Sequence, residues 1–252
     1  MVEPERFFLP HIETGVCQLP ADQAHHARHV LRLKTGDTVT IFDGQGHWAS
    51  AEIELAAGSA VRVHCRAVQE SRRMGPELTL ATAVPKLDRA DFLVEAASQL
   101  NVDVIQWLDC QRSVVRPAEQ GNKITKWRRL AIESAKQCRR NNILRIEPML
   151  PVAAVFKSLD RSNAMWADTR SELTLARAWD DWKTTRGGGN SPSPPGLTVF
   201  VGPEGGWSDT ELEMFRQGGA VGVRLGPNIL RIEIAAIAVA AVIGCGEAID
   251  HK

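Results

Sequence analysis

Hydrophobic and polar positions change their period along the chain. Near the start they alternate. Val61, Val63, Cys65 and Ala67 are apolar and Arg62, His64 and Arg66 are basic, so one strand carries two unlike faces. Residues 37–44 and 47–55 read as further strands, with turn sequences at 43–46 and 56–59. A short helix is expected over 22–31. Few strands, tight turns and one helix predict a small closed β-barrel. Residues 70–77 are a polar candidate linker. Beyond it the pattern becomes strand, helix, strand. Strands are expected at 77–84, 102–108, 145–150, 163–168, 197–202 and 220–226. Helices are expected at 88–100, 122–140, from 209, and at 230–243. Such alternation predicts a mostly parallel α/β sheet covered on both faces. The Gly- and Pro-rich stretch 185–196 reads as a surface loop.

Composition adds limits. The 252 residues are 44% hydrophobic and 24% charged, enough apolar material for one large or two ordinary domains. Net charge is zero, but residues 112–145 hold ten Lys/Arg against two acids, Glu119 and Glu133. A local excess of that size points to a polyanion, because phosphate neutralisation releases counterions. Cys17, Cys65, Cys110, Cys138 and Cys245 are scattered without metal-ligand spacing, which favours a reduced, cytosolic protein with no structural metal. The first residues hold no apolar core of a signal peptide, and the apolar run 234–245 is too short to span a membrane.

The candidate chemistry lies in two loops. Residues 201–213 read VGPEGGWSDTELE. The stretch matches neither the dinucleotide nor the nucleoside-triphosphate glycine loop. Ser208 and Glu211 form a capping box, so the glycines sit between a strand and a helix N-terminus. Open α/β sheets place ligands there. Residues 223–233, VRLGPNILRIE, repeat the arrangement. Consecutive strands in a parallel sheet are often neighbours, so both loops are expected to face one crevice. Neither loop has a cation placed for a pyrophosphate. Main-chain groups with Leu225, Ile229 and Leu230 suit an adenine and ribose better. The last helix is apolar nearly all round, so it must be buried in a core or against a partner.

These loops resemble the paired signature of the 16S rRNA uracil-N3 methyltransferases of the SPOUT class. The stretches RFFL, HHARHVLRLKTGD, IFDGQG, AVPKLDRADFLVEAASQLNV, QRSV and ESAKQCRR extend the likeness over nearly the whole chain. The resemblance implies a PUA-like RNA-binding barrel over residues 1–72 and an α/β domain tied in a trefoil knot over 73–252. It implies S-adenosylmethionine held by Val201, Gly202, Pro203, Glu204, Gly205, Gly206, Leu225, Gly226, Asn228, Ile229 and Leu230. It also implies a homodimer acting on 16S rRNA, free or in the small ribosomal subunit, with no membrane. Glu204 and Glu233 are the candidate carboxylate bases and Arg231 the stabiliser of the uracil anion. Arg6, Arg62, Arg66, Arg112, Arg139 and Arg140 are the candidate RNA contacts. The chain departs from the family pattern at Ala96, Gln99 and Asn101, where Lys, Glu and Gly are usual, and at Leu144, Asn228, Ile232 and Ile234. A ribose 2′-O specificity and a non-catalytic RNA-binding relative are the rival readings.

Overall fold

A computed structural model describes residues 3–55, 59–71, 75–86, 88–115, 123–186 and 195–245. The expected linker lies partly outside these residues, and the 185–196 loop mostly so, as do Arg116, Glu119 and Asn122. The chain divides into two compact units, Met1–Arg73 with Ile132–Ile143, and Met74–Ala131 with Leu144–Lys252.

The first unit is a mixed sheet of β1 (Arg6–Phe8), β2 (Gly15–Gln18), β3 (Thr38–Phe42), β4 (His47–Leu55), β5 (Val61–Cys65) and β6 (Gln69–Glu70). Its order is β1-β3-β4-β5-β2, with β6 on β4. Alternation works as expected in β5, where Val61, Val63 and Cys65 are buried while Arg62 and His64 are exposed. Phe7, Val39, Ile41, Ala49 and Ile53 join them in one core. Two corrections follow. The short strands β1 and β2 carry too few residues to show a period. They end the sheet without pairing to each other among the described residues, so the barrel is not closed by a ladder. The basic face of β5 is also charge-compensated. Glu52 lies opposite His64 and Glu54 opposite Arg62. Arg66 meets Glu52 at 3.0 Å and His64 meets Glu54 at 2.7 Å. The expected helix is α1 (Ala21–His25), continued by a wider turn in which the Leu31 N–H donates to the His26 carbonyl at 3.0 Å.

The second unit alternates β7 (Leu78–Ala83), α2 (Arg89–Gln99), β8 (Val104–Asp109), α3 (Lys123–Cys138), β9 (Arg145–Pro151), α4 (Val152–Lys157), β10 (Ala164–Ala167), α5 (Leu175–Thr185), β11 (Leu197–Val201), α6 (Asp209–Gln217), β12 (Val221–Val223) and α7 (Ile232–Gly244). The end of α3 belongs to the first unit. All six strands are parallel in the order β12-β10-β11-β7-β8-β9. Every residue of β11 is buried, as a strand covered on both faces requires. Helices α4 and α5 are additions to the sequence reading. The signal for α5 was present: Thr174 caps it, and Leu175, Ala178, Trp179 and Trp182 fall on one face.

One departure from the family pattern finds a local answer here. Asn101 has φ +60°, the left-handed conformation that usually calls for glycine, and asparagine tolerates it. Its side-chain amide donates to the Gly244 carbonyl at 3.2 Å, tying α2 to the end of α7. The knotted path implied by the resemblance needs the chain after edge strand β12 to return to mid-sheet. Helix α7 does so, packing on β7 and β11 beside α2 and α5. Its inner face buries Ile232, Ala235, Ala236, Val239, Ala240 and Ile243, and its outer face leaves Ile234, Ala241 and Val242 exposed. No helix among the described residues is long and apolar enough to cross a membrane.

Candidate active site

Parallel strands release their following loops at one end of the sheet. The loops after β11 and β12 therefore leave from the same side, but their strands are not neighbours. β10 stands between them, contrary to the expectation from chain order, and contributes a loop of its own. A cavity of about 420 Å³ lies among the three loops, lined by Ala167–Arg170, Val201–Trp207 and Leu225–Leu230 without Pro227, together with Arg112, Asp209, Leu212, Arg224, Ile232 and Ala235. All eleven residues expected to hold the cofactor line it: Val201, Gly202, Pro203, Glu204, Gly205, Gly206, Leu225, Gly226, Asn228, Ile229 and Leu230. Asp168, Thr169 and Arg170 were missed. Their strand was legible, but only the strand order shows that its end meets the other two.

The loop after β11 is held from several directions. A Cβ on Gly202 would stand 2.8 Å from the Trp207 ring, so only glycine fits. The Trp207 indole donates to the Ala167 carbonyl at 3.0 Å and packs edge-on against Phe215 at 5.0 Å. Gly206 has φ +70° and closes a turn on the Pro203 carbonyl at 2.8 Å. Arg112 Nη1 donates to the carbonyls of Trp207 at 2.9 Å and Gly205 at 3.4 Å. The capping box is formed: the Ser208 N–H donates to Glu211 Oε2 at 2.8 Å and the Glu211 N–H to Ser208 Oγ at 3.2 Å. Buried Glu211 is further satisfied by the Gln111 N–H, which donates to Oε1 at 3.0 Å. Burial, and after it the Glu211 charge, pushes the neighbouring Cys110 thiol up to about 12.

The three candidate catalytic residues separate. Glu204 lines the cavity, and Lys86 Nζ lies 3.2 Å from its Oε2. Arg231 is exposed at the N-cap of α7, outside the lining. Glu233 is 5% exposed, faces Arg89 Nε at 3.6 Å and is also outside the lining.

Several candidate RNA contacts turn inward or are already paired. Arg6 lies 4.8 Å over the Phe42 ring and donates to Asn141 Oδ1, and burial followed by the Arg139 charge lowers its pKa to about 10. Arg139 is ion-paired with Glu3, and the Arg140 carbonyl accepts a bond from Arg6 at 3.4 Å. Arg112 braces the glycine loop. Arg145 meets Glu77 at 2.6 Å, and Lys126 is paired with Asp91. The cationic excess of 112–145 is thus reduced by acids from distant segments. Arg66 is paired with Glu52, and Arg62 lies opposite Glu54.

Two family models match. One, an RNA methyltransferase domain, matches residues 73–244, and the other, an RNA methyltransferase PUA domain, residues 19–63. The chain belongs to the RNA methyltransferase family. Among curated relatives is the ribosomal RNA small subunit methyltransferase E of Synechocystis, 28% identical over 92% of this chain and 72% of its own. The protein of the same name from Mycobacterium bovis is 27% identical over 92% and 87%. The crystal structure of the Neisseria gonorrhoeae methyltransferase E bound to S-adenosylmethionine aligns with a TM-score of 0.80 at 25% identity, over 96% of this chain and 98% of that one. A Legionella pneumophila methyltransferase with the same cofactor aligns at 0.81 and 26% identity, over 97% and 98%. The fold of this family member is therefore α/β, with a PUA-like N-terminal part and a parallel sheet.

Proposed function

We propose that this protein uses S-adenosylmethionine to methylate N3 of a uridine in the decoding region of 16S rRNA, acting in the cytoplasm on the small ribosomal subunit or its rRNA. The observation that carries this reading is one cavity shared by loops from the carboxyl ends of three parallel strands. The residues present fit the cofactor. The volume falls in the range of small-molecule sites, roughly 300–1,000 Å³. A Cβ on Gly226 would meet no atom within 4 Å, so the backbone there is open to a ligand. Residues 201–206 and 225–230 would hold the cofactor by main-chain and apolar contacts. When bound, it supplies a methyl group activated on a positively charged sulfur. The cofactor-bound Neisseria and Legionella proteins and the naming of the curated relatives support this.

Uracil N3 carries a hydrogen and is a poor nucleophile until that hydrogen is removed or polarised. Glu204 is assigned as the acceptor, because it alone of the two candidate carboxylates lines the cavity. A carboxylate base contributes roughly 10²–10⁴-fold. Glu233 is assigned to anchoring α7 through Arg89, and Arg231 to the rim. The target base must leave its stack to reach the cavity. Residues 1–72 are assigned to RNA binding and 73–252 to methyl transfer. The outer face of α7, with exposed Ile234 and Val242, is assigned to a second copy of the chain. Val239 is fully buried within the unit, so Val242→Glu is the variant that reports on the dimer.

The test is incubation of the purified protein with unmodified small subunits and S-adenosylmethionine, followed by mass analysis of nucleosides. N3-methyluridine is expected. A 2′-O-methylated nucleoside, or no product, overturns the reading.

A further inference from the structure

We propose that Lys86 is a positioning residue of the methyl-transfer site, and that with Glu204 it forms the pair that handles the uracil proton. This rests on the functional reading above. The sheet brings the two residues together. β7 and β11 are parallel neighbours with Thr82 opposite Val201. Beyond that pair the two chains leave the sheet side by side. Val84 and Pro85 stay buried, and Lys86 is the first exposed residue past β7. Glu204 stands three residues past the end of β11. The contact of 3.2 Å is made with both side chains partly open, at 46% and 39% exposure.

A pair that exposed adds little to stability, since surface ion pairs are weak. Its significance lies in its position. Three carboxylates line the cavity: Asp168, Glu204 and Asp209. Asp168 Oδ1 accepts the Arg170 N–H at 3.0 Å, which ties it into its own turn. Asp209 lies in the first turn of α6, where a carboxylate favours the helix end. Glu204 sits mid-loop, and its partner is the Lys86 ammonium. Lys86 stands just outside the cavity lining. Of the cations that line it, Arg112 directs Nη1 to backbone carbonyls and Arg170 is paired with Asp168 at 3.4 Å. Lys86 holds the Glu204 carboxylate in one place and keeps a positive charge beside the uracil ring. The proton leaves N3 for a Glu204 oxygen. The N–H electron pair stays on N3 and forms the N–CH₃ bond, while the pair of the broken S–CH₃ bond stays on sulfur. During this exchange negative charge spreads to uracil O2 and O4, where a fixed ammonium is most effective.

The experiment compares wild type, Lys86→Met, Lys86→Arg, Glu204→Gln and the double variant Lys86→Met/Glu204→Gln. Steady-state methylation of small subunits is read beside calorimetric binding of S-adenosylmethionine and thermal unfolding. For Lys86→Met, kcat should fall about 100-fold, with KM for subunits, cofactor affinity and melting temperature unchanged. Lys86→Arg should recover most of the rate. The double variant should be no slower than Glu204→Gln alone, as expected of residues that act as a unit. A wild-type kcat in Lys86→Met overturns the proposal. So does a raised KM at unchanged kcat, which makes Lys86 a phosphate contact, and so does lost cofactor binding, which makes it part of the cofactor loops. Wild-type protein that binds the cofactor but makes no methyluridine overturns the functional reading itself, and the pair with it.

Discussion

The two glycine loops of the site look alike in sequence and differ in how they are held. The loop after β11 is fastened by Trp207, Arg112, Glu211 and a turn at Gly206. The loop after β12 has no hydrogen bond over residues 225–230 among the described residues, Gly226 has open space beside it, and Ile229 is 89% exposed. Glycine serves different ends in each. At Gly202 its smallness makes room for the protein's own tryptophan. At Gly226 nothing of the protein fills the space. One loop is held by the protein's own contacts, and the other is left open on its cavity side.

The strongest way to break this contrast is to remove the fastening of the first loop. Trp207→Ala deletes a nearly buried ring from a cluster with Phe215, Phe200 and Phe156. It should lower stability by about 3–5 kcal/mol, read as a shift of the urea midpoint. A loss under about 1 kcal/mol would show that the loop stands without it. The glycines come next. Gly202→Ala forces a Cβ against the Trp207 ring and should cost about 1–3 kcal/mol. Gly226→Ala should stay within about 0.5 kcal/mol, and equal losses in the two would end the distinction. Arg112→Met removes the guanidinium bonds to Gly205 and Trp207. Because that side chain is exposed, a loss of only about 1 kcal/mol is expected, together with weaker cofactor binding by calorimetry. The smallest effect is Ile229→Ala, which should change stability by less than about 0.5 kcal/mol. A related measurement sharpens the contrast. On adding S-adenosylmethionine, amide exchange should slow strongly over 225–230 and little over 202–207, where protection should already exist. Equal slowing in both would mean that neither loop is preformed.

The cationic residues show how far local pattern reaches. The alternation that exposes Arg62, His64 and Arg66 on β5 was legible, because side chains on a strand alternate whatever surrounds them. The placing of Glu52 and Glu54 beside them depends on which strand pairs with β5 and in what register, and a one-residue slip would have undone it. Helix α3 is similar. Its charge run could be counted along the chain, while the acids that answer it, Asp91 and Glu3, lie far away in sequence. Arg6 reads as a free cation in a three-residue strand too short to show a face, and it packs on Phe42.

The sequence by itself determined what depends on neighbours in the chain. That covers the alternation of β5, the capping box at Ser208 and Glu211, and the strand-to-helix character of both loops. Hydrogen bonds and φ angles within a few residues decide such features. Tertiary structure alone decided that β10 lies between β11 and β12 and so adds Asp168–Arg170 to the site. It also turned Glu233 toward Arg89 and set Lys86 beside Glu204. Strand order and cross-strand register join residues more than a hundred positions apart, and no local period encodes them.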